Sequence, residues 1–320
     1  MRAYVIRRIL LIAPTLFLVT LIVFAVIRLI PGDVIDLMVA EMGEESGMGE
    51  EIDAEYLRHV LGLDEPVHVQ YGTWIVDIFR GNLGESLWSH RDVTKDLVRR
   101  IPVSFELGVI AMVTSILLAI PIGIYSAVRQ DTVGDYIGRS IAIVALAIPN
   151  FWIGTMVIVF PAIWWGWTPP IKYIQFAEDP LANLGQFMIP GIIMGMHMAG
   201  GIMRMTRTMM LEVLRQDYIR TAWSKGLRER VVVVSHALKN ALIPVVTQVG
   251  MQLPVLIAGA VILEQIFSLP GIGSWLIHSI NQRDYPIISG INLAMATFIL
   301  FANLLVDMTY GYLDPRIRYR

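Results

Sequence analysis

Six stretches of the chain are apolar and contain no Asp, Glu, Lys or Arg: Ile9–Ile27, Leu107–Val128, Ser140–Ile171, Pro180–Met203, Asn240–Leu263 and Tyr285–Val306. A helix needs about 20 apolar residues to cross a bilayer. Each stretch is therefore a predicted span, and the fold class is an all-α membrane protein with six transmembrane helices. The third run is longer than one crossing requires, so its end near Trp164–Pro170 is expected at the membrane interface. The first run follows Arg7 and Arg8, as a signal peptide would. It exceeds a typical h-region and no small-x-small cleavage site follows it, so it reads as a retained helix.

Composition supports this reading. Of 320 residues, 55% are hydrophobic and 16% charged, whereas soluble domains carry about 25% charge. That is too little charge to cover a soluble protein of this size, which excludes a free soluble enzyme. The net charge of −2 argues against a nucleic-acid partner. With no cysteine there are no disulfides, zinc–thiolate sites, iron–sulfur clusters or thiol nucleophiles.

The cations set an orientation. Six spans put both termini on one side. If that side is the cytoplasm, 16 of the 25 Lys and Arg are inside, 8 of them between Arg204 and Lys239. The positive-inside rule favours this arrangement in a cell membrane. Outside, the segment Pro31–Arg100 holds 15 acidic residues against 6 basic ones. This acidity reads either as a solvated face or as a docking surface for an external partner.

The resulting plan has a cytoplasmic N-terminus and first span over residues 1–30, then a small external subdomain over 31–100. A five-helix core follows over 101–310, with a cytoplasmic loop at about 211–240, and a basic tail over 311–320. A short inner loop near Arg129–Arg139 joins spans two and three. In the external segment, Ile52–Leu61 has helical spacing of apolar residues, and Gly62–Pro66 stops that helix.

Catalytic chemistry has little to stand on. A P-loop needs Gly-Lys before Ser or Thr, and none of the four lysines follows a glycine. The six histidines show no metal-ligand spacing, so neither a catalytic residue nor a metal site is assigned. Glu264 and Asp307 fall at the ends of spans five and six, where a carboxylate is expected to reach water. His197 lies within span four as a hydrogen-bonding partner or a path residue. Charges at mid-bilayer cost about 2.5–3.5 kcal/mol on insertion scales, and no intramembrane pattern of charge pairs is visible. The methionines of span four read as ordinary packing or as an adaptable pore lining.

The inner loop is more informative. Between Arg204 and Lys239 there are 8 basic and 3 acidic residues. Leu214, Tyr218 and Ala222 recur at helical spacing, and Lys225-Gly226-Leu227 breaks that helix. A second helical run, Val231–Leu242, leads to Pro244 at the mouth of span five.

The run Asp217–Thr247 (DYIRTAWSKGLRERVVVVSHALKNALIPVVT) resembles the cytoplasmic coupling loop of ABC-importer permeases in their peptide-transporter form. RLIPGD (Arg28–Asp33), GNLGESL (Gly81–Leu87), IPNFW (Ile148–Trp152), RMTRTMMLEVLRQDYIRTA (Arg204–Ala222), FSLPGIG (Phe267–Gly273), RDYP (Arg283–Pro286) and DPRIR (Asp314–Arg318) resemble the same family, in order, across nearly the whole chain. The resemblance is to the first of the two permeases in dipeptide and oligopeptide importers. The general permease signature begins Glu-Ala-Ala where this chain has Arg220-Thr221-Ala222, and the interval from Gly226 to Pro244 is longer than in the general form.

The resemblance implies a type I ABC-importer permease fold. It implies partners: a second, different permease in a heterodimer, two ATPase subunits and an external substrate-binding protein. ATP and Mg then belong to the ATPases and this chain binds no cofactor. Arg220, Thr221, Ala222, Lys225, Gly226 and Leu227 are the implied ATPase-coupling residues. Asn150, His197, Glu264, Phe267, Pro270 and Gly271 are the candidates for the translocation path or outer gate. Peptides are the expected cargo. Oligosaccharides, nickel chelates or other small solutes are the alternative for the same importer type, and an ATP-independent secondary transporter is the alternative mechanism.

Overall fold

The computed structural model describes residues 2–29, 35, 55, 58–59, 63–170 and 172–313. The predicted helix at Ile52–Leu61 and the DPRIR motif fall almost wholly outside these residues. Among the described residues the chain is helical throughout, with one isolated bridge between Glu85 and Asp92. Five helices are long and apolar enough to cross a membrane, and a sharply bent pair brings the number to six.

Helix α1 (Arg2–Leu29) leaves Leu10, Phe17, Leu18 and Ile22 half exposed. Apolar side chains open to the surroundings along a whole helix are the mark of a lipid or partner-helix solvent. Near its end Phe24 meets Tyr71 and Trp74 at centroid distances of 5.2 and 5.9 Å. Those two rings belong to α2 (Val67–Phe79), which this aromatic cluster fastens to the bundle. Arg28 Nη2 donates to Gln70 Oε1 across the same joint.

Helix α3 (Val93–Val128) begins well before the predicted span. Asp92 is its N-cap and accepts from the Lys95 backbone N–H at 3.1 Å, satisfying one orphan donor of the first turn. Its 36 residues reach roughly 54 Å at 1.5 Å per residue, so its first turns extend beyond a hydrocarbon core of about 30 Å. A turn at Arg129–Thr132 then leads into α4 (Val133–Ala147), whose N-cap is Thr132. The inner loop is thus shorter than the predicted Arg129–Arg139, and Arg139 is helical.

The third predicted span is not one helix. Helix α4 and α5 (Asn150–Trp165) meet at an angle of 90°. The cause is Pro149: its ring disfavours helical geometry at the preceding residue, and Ile148 is extended (φ −85°, ψ 123°). Helix α5 ends at Gly166 in the left-handed region, so Trp164 and Trp165 are helical and Trp167–Pro170 lies outside any helix.

Helix α6 (Pro180–Leu214) starts where predicted, with Asp179 capping the N–H groups of Leu181 and Ala182. It runs on past Met203, which carries Leu214 into this helix and out of the one predicted after it. Helix α6 packs along α3 at close range. A methyl group at Gly191 would lie 2.4 Å from Ile110 Cγ2, and one at Gly195 would lie 2.6 Å from the Ala111 carbonyl oxygen. Small residues allow such backbone approach and so maximise dispersion contacts where water supplies no hydrophobic drive. Met194, Met198, Met203 and Met210 are buried, so these methionines of α6 are packing residues.

After the short α7 (Asp217–Ser224), α8 runs from Glu229 to Gly250 with π-helical turns at Val232–Leu238. It passes through Pro244 without a break, so the loop helix and the start of span five are one element. The predicted continuous span Asn240–Leu263 is instead interrupted at Met251–Gln252, before α9 (Leu253–Ile266). Pro254 has no N–H to bond the Gly250 carbonyl, and there the first helix stops. Helix α10 (Ile272–Gln282) and α11 (Tyr285–Leu313) complete the chain. The main core joins α3, α6 and α9 through Leu107, Ala111, Phe187, Met194, Leu256 and Leu263.

Candidate functional site

At the basic end of the bundle, α7 lies across the ends of the longer helices. Ile219 (0% exposed) and Ala222 (7%) face inward, against Ala127, Met210, Val232, Val233 and Ala237. Burying the Ile219 side chain contributes about 1.5–3 kcal/mol, enough to hold an eight-residue helix that would not persist alone. Tyr218 Oη accepts from Asn240 Nδ2 at 2.8 Å, tying α7 to α8. The helix ends through Lys225 to Gly226, whose φ of +73° is the left-handed conformation that favours glycine.

The opposite face is open. Arg220, Thr221, Trp223, Ser224, Lys225, Gly226 and Leu227 are exposed. Of the implied coupling residues, Ala222 alone is buried, so it seats the helix and is not part of the presented surface. Trp223, 45% exposed, is part of that surface, although the sequence offered no account of it. The result is a short helix seated on one side and bare on the other, with Arg220, Trp223, Lys225 and Leu227 exposed along its open side and end.

Beneath it is a charge cluster that sequence reasoning missed. Asp135 is fully buried and accepts from Arg207 Nε (2.8 Å), Arg207 Nη2 (2.7 Å), Ser126 Oγ (2.6 Å) and the Asp131 backbone N–H (3.0 Å). Arg139 stands 3.5 Å away, its guanidinium over the Tyr136 ring. Asp135 and Arg207 both come from the segments read as inner loops, Arg129–Arg139 and Arg204–Lys239. Arg207 looked like one more cation of a basic loop, and its position on α6 became legible only once that helix was seen to extend to Leu214. Every oxygen of Asp135 is committed to a donor, so the cluster pins α3, α4 and α6 together.

At the other end, parts of the chain far apart in sequence meet. Glu264, expected to reach water, is fully buried. Its carboxylate accepts from Ser104 Oγ (2.5 Å) and the Ser274 backbone N–H (2.9 Å), while Ser104 Oγ accepts from the Ile272 N–H (2.9 Å). The carboxylate lies directly against Gly271, and Ser268 takes a positive φ of 54° to turn the chain around it. Glu264 is thus a pin for the Phe267–Gly273 hairpin, because α9 carries it under the hairpin and not to the surface.

The GNLGESL and RDYP motifs, far apart in sequence, also touch. Ser86 Oγ donates to Asp284 Oδ2 at 2.6 Å and the Leu87 N–H donates to Oδ1 at 3.3 Å. Trp88 Nε1 donates to the Gln282 carbonyl at 2.8 Å. Burial pushes the Asp284 carboxyl above its ordinary value, and the Ser86 hydroxyl opposes that rise.

The six path candidates do not share one cavity. Glu264, Phe267 and Gly271 are buried in the α9 hairpin, with Pro270 partly exposed beside them. His197 accompanies the α4–α5 bend, its Nδ1 3.2 Å from the Ala145 carbonyl, and lines an apolar groove with Tyr136, Ile141, Ile148 and Met196. Asn150 is the first residue of α5, at the same bend.

A bundle of broken and continuous spans carrying a short, seated surface helix is the architecture of a transport-system membrane subunit, and the chain belongs to that class: the family of binding-protein-dependent transport system inner membrane components. The family's model matches residues 119–319, and the model of its N-terminal part matches residues 1–108. The chain is similar to the dipeptide transport system permease protein DppB of Escherichia coli, 38% identical over 343 aligned positions and covering 100% of both chains. It is equally similar, at 38% over 340 positions and 100% of both chains, to the di/tripeptide transport system permease protein DppB of Pseudomonas aeruginosa. In fold it matches a solved structure described as an amino acid ABC transporter with histidines, at a TM-score of 0.53 and 12% identity, over 68% of this chain and 94% of that one. The type I permease fold is thus the fold of this chain.

Proposed function

We propose that this chain is one permease of an ATP-driven, binding-protein-dependent importer of dipeptides or oligopeptides. The observation that carries the transport mechanism is α7: two buried side chains seat it, and a glycine at φ +73° ends it. Such a helix transmits a push as a rigid body, because its inward face is locked to α8 while its outward face is free to meet another protein. The cargo class rests on full-length relatives named for dipeptide and di/tripeptide transport.

In this reading both termini and α7 are cytoplasmic, and Arg220, Thr221, Lys225 and Leu227 meet an ATPase subunit. A second, different permease completes the path, and two ATPases hold the ATP and magnesium. A binding protein delivers cargo to the face bearing α2 and α10. Closure of the ATPases moves α7, and through α8 and the Asp135–Arg207 cluster it tilts the spans. ATP shifts the equilibrium only by its different contacts with the two states.

The test is ATP hydrolysis by the assembled complex in lipid nanodiscs, with and without loaded binding protein, comparing wild type with Gly226→Pro. Proline is confined to φ near −65° and cannot take the Gly226 conformation. Stimulation by the binding protein is expected to vanish in a complex that still assembles. Undiminished stimulation would refute the role given to α7.

A further inference from the structure

We propose that a cationic recess on the outer face, centred on Arg91 and Arg100, receives an acidic side chain of the external binding protein. This rests on the importer reading above and assigns a docking point to it. The recess has a volume of about 290 Å³ and is lined by Trp88, Arg91, Asp96, Arg100, Trp275 and His278 among others. That volume admits a carboxylate side chain.

The electrostatics favour an anion. Arg91 and Arg100 both line the recess, and Arg100 feels the opposite charges of Asp96 and Glu264 as well as the like charge of Arg91. Asp96, the carboxylate lining the recess, lies 3.9 Å from Arg99 and also offsets part of the Arg100 charge, which leaves the exposed Arg91 as the cation that faces outward. Glu264 and Asp284 lie behind the wall with their oxygens already committed to Ser104, Ser274, Ser86 and Leu87. An incoming carboxylate therefore meets the exposed Arg91 guanidinium directly, with Arg100 behind it in the wall of the recess, and the contact it makes is a charge-assisted hydrogen bond.

The recess is also built to hold its shape. Arg100 stacks on the Trp275 ring at 4.9 Å and its Nη1 reaches the Pro270 carbonyl at 3.5 Å. The strand carrying Arg91 is held by the Ser86 N–H bonding to the Arg91 carbonyl (2.9 Å) and the Val93 N–H bonding to that of Gly84 (3.0 Å). Trp88 is fixed to Gln282. Arg91 and His278 are exposed, so the opening faces away from the helix core, which favours a protein partner over cargo within the spans. The surrounding external segment is acidic, with 15 acids to 6 bases, so the recess is a local exception that fixes where an acidic group lands.

The experiment measures capture of the cognate binding protein by the assembled importer in nanodiscs, at low and high salt, for wild type, Arg91→Glu, Arg91→Lys and the control Lys95→Glu, an exposed charge outside the recess. Arg91→Glu is expected to weaken capture by about tenfold or more at low salt and to flatten its salt dependence. Arg91→Lys and Lys95→Glu are expected to stay within about threefold of wild type. Unchanged affinity of the Arg91→Glu complex, with assembly confirmed by size-exclusion chromatography, would overturn the proposal. So would unchanged capture with a raised KM for peptides bearing a free C-terminal carboxylate, which would assign the recess to cargo. A wild-type complex whose ATP hydrolysis ignores its binding protein would defeat the importer reading itself.

Discussion

The contact between Glu264 and Gly271 yields the sharpest prediction. A Cβ built at Gly271 falls 2.2 Å from the Glu264 carboxyl carbon and 2.3 Å from both of its oxygens, where ordinary contact begins near 3.4 Å. In Gly271→Ala the carboxylate must therefore retreat by about 1 Å, which breaks its bonds from Ser104 and Ser274. Each buried donor left unsatisfied costs about 1–3 kcal/mol. The loss of backbone freedom in the unfolded chain returns only about 0.4–1 kcal/mol, so a net destabilisation of about 1–5 kcal/mol is expected. Thermal denaturation in detergent should show a Tm lowered by about 2 °C or more, and backbone amides from Phe267 to Gly273 should exchange faster. Because Glu264→Gln attacks the same contact, the double variant should cost much less than the two singles added together. An unchanged Tm with unchanged exchange over Phe267–Gly273, or strict additivity, would refute the pinned hairpin.

Three further outcomes follow from other parts of the fold. Asp135→Asn should destabilise the protein by about 3–5 kcal/mol by leaving Arg207 without its buried counter-charge, and Asp135→Asn with Arg207→Met should recover part of that loss in the same denaturation assay. Gly195→Val places methyl groups on the Ala111 carbonyl and Thr114, so it should force α3 and α6 apart and lower the yield of folded protein on size-exclusion chromatography. Ser86→Ala removes a buried donor to Asp284 and should cost about 1–3 kcal/mol locally, seen as faster proteolysis within Gly81–Asp92 while the spans remain protected.

Much of the fold is legible from one-dimensional chemistry. Twenty uncharged apolar residues must lie in lipid or in a core, lipid satisfies backbone groups only through helices or closed barrels, and a barrel strand needs only about 10 residues. That reasoning reaches six spans without any knowledge of contacts, and Gly226 at the end of a basic amphipathic run is enough to locate α7. It fails where two prolines act through their neighbours. Pro149 bends the third span by 90° and Pro254 interrupts the fifth, while Pro244 leaves its helix unbroken. Hydropathy is blind to that difference, because it depends on whether the carbonyl one turn earlier finds another partner.

The side-chain constellations were decided by tertiary structure. Nothing local tells Asp135 that Arg207 will lie 2.7 Å away, or turns Glu264 inward under a hairpin. Ala222 and Arg220 share one short helix, and only packing against Met210 and Val232 separates the seat from the surface. The sequence by itself determined that this chain lives in a membrane as a bundle of helices, since burial of apolar surface depends on composition and period. Which charges become pins and which remain open to a partner was decided by the fold, because a charge is paired or bare only through neighbours brought from distant parts of the chain.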